Sequence, residues 1–77
     1  MIYVYQTLEQ VGNAPEQAMA AGTIYVFDCR EIYPAATHPY QVHRVGEKCL
    51  GEYHTLQAAM DAANREDQRQ RTRQGQP

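Results

Sequence analysis

Thr23-Ile24-Tyr25-Val26-Phe27-Asp28-Cys29-Arg30-Glu31-Ile32-Tyr33 is the longest β-favouring run in the chain, and Pro34 closes it because proline has no N–H to give a ladder. We expect this run to be the central strand of a sheet. Ile2-Tyr3-Val4-Tyr5-Gln6-Thr7-Leu8 has the same character, with Ile2, Val4 and Leu8 on one side and Tyr3 and Tyr5 on the other, so it reads as a first strand. Residues 40–45 and 49–53 flank Gly46-Glu47-Lys48 and read as a hairpin.

Two helices complete the pattern. Asn13-Ala14-Pro15-Glu16 has the features of a helix start, and Gly22 those of a helix end, which predicts a short helix over 14–21. Thr55 is placed to cap a second, whose Leu56, Ala59, Met60 and Ala63 recur at i, i+3, i+4 and i+7. Asp61 and Arg65 add an i, i+4 pair on it. The order β-α-β-β-β-α lacks regular βαβ alternation, so the expected class is α+β, with a small, mostly antiparallel sheet of about four strands and two helices.

Charge divides the chain unevenly. The formal net charge is −2, made of −4 over residues 1–64 and +2 over residues 65–77. No aliphatic or aromatic residue follows Arg65. A stretch of that composition offers little to offset the entropy of ordering, so we expect one domain over 1–65 and a flexible, Arg/Gln-rich tail over 66–77.

The 77 residues contain no apolar run near the roughly 20 a bilayer span requires, and Met1–Tyr5 show no secretory pattern, so a cytoplasmic location without membrane contact is expected. The absence of serine removes serine-nucleophile chemistry. Cys29, His38, His43, Cys49 and His54 are residue types that ligate zinc, but their spacing is not that of paired ligands on a turn. A Cys–His pair, for instance Cys29 with His43 on a neighbouring strand, has the residue types of a nucleophile and its base, but nothing in the sequence sets either in a pocket. No G-x-G-x-x-G, P-loop or H-E-x-x-H motif occurs. We therefore expect no enzyme activity, no metal and no cofactor.

From 14 to 67 the order α-β-β-β-α is similar to that of double-stranded-RNA-binding domains. That resemblance implies a grip on phosphates by a basic cluster at the start of the last helix. Here the helix opens Thr55-Leu56-Gln57-Ala58-Ala59-Met60, with no Lys or Arg before Arg65, so the residues that carry the family's function are missing.

With both Ala-rich helices expected over Ile2, Val4, Ile24 and Val26, the opposite sheet face would present Tyr3, Tyr5, Tyr25, Phe27 and Tyr33, with Cys29, His43 and Val45 nearby. Such rings bury much area while fixing few torsions, as protein interfaces require. The competing expectation is that the first helix or a second copy of the chain covers that face. The expected function is a non-catalytic protein-binding module whose partner is a protein, a protein complex or a second copy. Size and economy suit the small inhibitors of phages and mobile elements that occupy the surface of a bacterial defence or regulatory complex, such as a CRISPR effector. The alternative is a nucleic-acid-binding regulator using Arg65, Arg69, Arg71 and Arg73.

Overall fold

The structure, a computed structural model, describes residues 2–47 and 49–75. The chain folds as β1 (Tyr3–Tyr5), α1 (Leu8–Gly12), a 3₁₀ turn (Glu16–Met19), β2 (Ile24–Asp28), β3 (Tyr40–Arg44), β4 (Cys49–Tyr53) and α2 (Leu56–Gly75). The strands form one sheet in the order β1-β2-β3-β4. The class is α+β, but the sheet is mixed: β1 runs parallel to β2, and only β2–β3 and β3–β4 are antiparallel.

The first helix differs most from expectation. Thr7 is the true cap: its hydroxyl accepts from the Gln10 N–H at 3.1 Å, and the Gln10 side chain accepts from the Thr7 N–H at 3.3 Å. Asn13 instead ends α1, and only the 3₁₀ turn follows Pro15. β2 also stops at Asp28, short of the expected Tyr33. The Asp28 carboxylate accepts from the Arg30 N–H at 3.0 Å, a local side-chain bond that turns the chain out of the ladder.

α2 packs on one face of the sheet. Its Ala59, Ala62 and Ala63 lie against Ile24, Val26 and Val42, with Ile2, Tyr40, Tyr53 and Met60 at the margin. Methyl side chains let the helix sit low, and the three β-branched residues are the largest side chains buried completely. Thr55 caps this helix as expected, accepting from the Ala58 N–H at 3.1 Å. Asp61 accepts from Gln57 at 2.9 Å; no ion pair to Arg65 forms.

The stretch expected as a flexible tail from residue 66 is helical to Gly75, while Gln76 and Pro77 lie outside the described residues. Arg44 explains the extension. From β3 its guanidinium donates to Glu66 at 2.9 Å and to Gln70 at 2.8 Å. Gln70 donates in turn to the Gly22 carbonyl at 2.7 Å. Polar anchors thus hold the helix where apolar residues have run out.

In the β3–β4 turn Gly46 takes φ +92°, a conformation that disfavours side chains with a Cβ. A bulge between Val42 and His43 pairs His43 with Cys49 and Val42 with Gly51, leaving Leu50 as the extra residue.

Candidate partner-binding face

The face of the sheet opposite α2 is only partly open, because α1 and the 3₁₀ turn cross over it rather than joining α2. Tyr5 is buried, and with Val11, Ala14, Ala18, Met19 and Tyr25 it lines a small cavity of about 190 Å³. This corrects the expectation of both helices on one side. A crossover between parallel strands must pass over one face, and α2 already fills the other.

The five expected contact residues therefore do not form one patch. Tyr3 is half-buried at the end of the sheet, in a shallow pocket beside Gln17, Thr23 and Gln70. Tyr33 is exposed in the turn after β2, with its N–H bonded to the Cys29 carbonyl at 2.7 Å. Tyr25 and Phe27 remain on β2, half-buried.

Around Tyr25 the sheet carries a continuous line of contacts. The Tyr5 ring meets Tyr25 edge-on at 5.5 Å, and the His43 imidazole stacks on Tyr25 at 5.1 Å with 9° between the planes. His43 Nε2 lies 2.8 Å from the Gln41 amide oxygen, and the Gln41 amide nitrogen donates to Glu52 at 3.2 Å. A carboxylate and an amide oxygen only accept, so Nε2 of His43 carries a proton and Nδ1 is the acceptor nitrogen of the neutral ring. The ladder Glu52–Gln41–His43–Tyr25 thus runs from β4 to β2 with a fixed polarity.

The environment keeps this ladder uncharged at its centre. Burial lowers the His43 pKa from its ordinary 6.5. Burial raises that of Tyr25, with the neighbouring Cys49 adding to it, and burial followed by the hydroxyls of Tyr3 and Tyr25 raises that of Tyr5. The alternation around Val42 places Gln41 and His43 on this face, a signal present in the sequence once Val42 is set inward. Cys49 and Glu52 join them only through the bulge, which sequence periodicity does not reveal.

Cys29 and His43 form no pair. The buried Cys29 thiol points toward the Phe27 carbonyl at 3.9 Å, and burial, then the charges of Asp28, Cys49 and Glu52, push its pKa up. Among the described residues no group of three His, Cys, Asp or Glu is arranged to hold a metal ion. His38 and His54 do meet, with ring centroids 3.8 Å apart, but His54 Nδ1 is engaged by the Thr37 carbonyl at 2.9 Å. At the same end of the sheet buried Asp28 takes hydrogen bonds from Arg30, down to 2.7 Å, and Arg30 lies 5.3 Å over the Tyr40 ring.

The four arginines of the alternative reading now stand on α2. Arg65, Arg69 and Arg73 fall at i, i+4 and i+8 along one side of the helix, while Arg71 pairs with Asp67 at 3.1 Å. No helix is long and apolar enough to cross a membrane among the described residues.

No protein-family model matches this chain, and no curated protein or solved structure matches it at a significant level.

Proposed function

We propose that this protein is a non-catalytic binding module that engages another protein through the open part of the sheet around Tyr25, Phe27, Gln41 and His43. The observation that carries the reading is the Tyr25–His43 stack, held flat by Gln41 on a sheet face that α2 leaves uncovered. Stiff rings with a satisfied polar edge lose little entropy on binding, the property that makes aromatic residues frequent interface anchors. Occupying a partner's surface requires nothing further, which suits an inhibitor of a bacterial defence or regulatory complex such as a CRISPR effector.

A nucleic-acid-binding role is the second reading, supported by the helical stripe Arg65, Arg69 and Arg73. Retention from bacterial lysate separates the two. Under the proposal, nuclease-treated lysate yields a protein held stoichiometrically by the wild-type chain and lost with Phe27→Asp, whose circular dichroism stays that of the wild type. Retention unchanged by Phe27→Asp would overturn it. Capture of nucleic acid alone, released by salt, would assign the function to the arginines.

A further inference from the structure

The α2 side of the sheet, away from Tyr25, carries a groove beside a strand edge. β4 is an edge strand, so one side of its backbone carries N–H and C=O groups with no strand partner among the described residues. Between this edge and α2 runs a groove of about 230 Å³ with Val42, Leu50, Tyr53 and Ala62 along it and Arg65, Glu66 and Arg69 on the helix side. Its shape has local causes. The bulge inserts Leu50 as an extra residue in β4, and Ala62 contributes only a methyl group to the opposite wall. Gly51 lets the Tyr53 ring lie against the strand, for a Cβ there would meet the ring hydroxyl at 3.0 Å and ring carbons at 3.2 and 3.3 Å.

The charge of the groove is lopsided. Glu66 is already spent, with one oxygen on Arg44 at 2.9 Å and the other on Arg69 at 2.8 Å. Arg65 makes no ion pair among the described residues, and the Arg69 side chain, bonded to Glu66 through one nitrogen, is 64% exposed. Arg65, and Arg69 with part of its guanidinium taken by Glu66, thus overhang a groove that Val42, Leu50, Tyr53 and Ala62 also line, beside the β4 edge.

We infer that this groove binds an extended, acidic peptide segment of a partner protein, which adds to β4 as a fifth strand. Main-chain bonds to the β4 edge would hold it, an apolar side chain would enter between Leu50 and Tyr53, and its carboxylates would meet Arg65 and Arg69. The five residues of β4 span about 17 Å, enough for a segment of similar length. A second copy fits poorly, because two-fold pairing of β4 edges would set the arginine rim of one copy toward that of the other. The inference does not depend on the tyrosine-bearing face.

The test is an NMR titration of the full ¹⁵N-labelled chain with the capped hexapeptide Glu-Thr-Leu-Thr-Glu-Thr, whose leucine and glutamates share one face of an extended strand, alongside a counterpart with lysine at each glutamate. The acidic peptide is expected to give saturable shifts at Leu50–Tyr53 and Ala62–Arg69, with Tyr25 and Phe27 unmoved. Arg65→Glu, at an exposed residue without an ion-pair partner among the described residues, should weaken binding at least about tenfold by setting like charges together. Leu50→Asp should abolish it, and both variants should keep the wild-type circular dichroism. Absence of saturation with the acidic peptide, equal binding of the lysine peptide, or indifference to Arg65→Glu would each overturn the inference. Tighter binding of a single-stranded oligonucleotide at Arg65 and Arg69 would overturn it too, by reassigning those residues to phosphate.

Discussion

Replacing Arg44 with methionine should loosen the last ten residues of α2 while sparing the turns before them. Residues 64–75 contain no aliphatic or aromatic side chain, and a helix of that length is marginal in water by itself. Arg44 is 14% exposed and its partner Glu66 23%, so neither is screened as a surface pair would be. Glu47 is 55% exposed and adds little. A hydrogen bond to a charged group contributes about 1.5–3 kcal/mol, and Glu66 keeps its bond to Arg69, so Arg44→Met should cost about 2 kcal/mol. At roughly 4–8 °C per kcal/mol for a domain of this size, Tm should fall by about 10 °C. Native-state hydrogen exchange gives the local reading: amides of Glu66–Arg73 should lose protection while those of Met60–Ala63 change only as global stability does. Unchanged protection at Gln70 with a full-sized loss of global stability would refute the anchoring argument and make Arg44 an ordinary member of the core.

Two further predictions concern pH. His43 has a folded pKa below the ordinary imidazole value of 6.5, so folding favours its neutral form. Its contribution is complete above that value and is lost as pH falls toward the lowered folded pKa; urea titrations at a series of pH values should show the decline, and His43→Gln should flatten it. Asp28 is held below the usual carboxylate range chiefly by the hydrogen bonds from Arg30, so its contribution is present above the unfolded value near 3.8 and disappears as pH falls through the folded one. Asp28→Asn should cost about 1–3 kcal/mol at neutral pH, measured by urea unfolding, and should reduce the loss of stability in acid.

Sequence reasoning found the pieces whose signals are local. The β-branched and aromatic runs mark β1, β2 and β3, the turn at Gly46 marks β4, Thr55 marks the start of α2, and the alanine spacing marks its buried face. Thr7-x-x-Gln10 and Asn13-x-x-Glu16 are competing helix starts of similar form, and only the first is used. Pro15 cannot supply an N–H to continue α1, which splits the crossover into two short turns. The parallel pairing of β1 is invisible locally because register and direction are settled by where the crossover lands. The tyrosines are divided for the same reason: Tyr5 alternates with Val4, yet α1 and the 3₁₀ turn come down over it. The length of α2 escaped because its last turns are held by Arg44 and the Gly22 carbonyl, partners distant in the chain.

The parallel pairing also sets an order of assembly. Partners in β1 and β2 are 22 positions apart along the chain, whereas those in β3 and β4 are at most 13 apart, from Tyr40 to Tyr53, and those in β2 and β3 at most 20, from Ile24 to Arg44. Closing the tight β3–β4 loop restricts the fewest residues, and β2 and α2 lie immediately on either side of it in the chain. β2, β3, β4 and α2 therefore constitute a continuous folding unit that includes the whole of the Ala59–Ala62–Ala63 contact with Ile24, Val26 and Val42. β1, made before the other three strands, is expected to be the one that waits, adding to the edge of β2 after the rest of the sheet has formed.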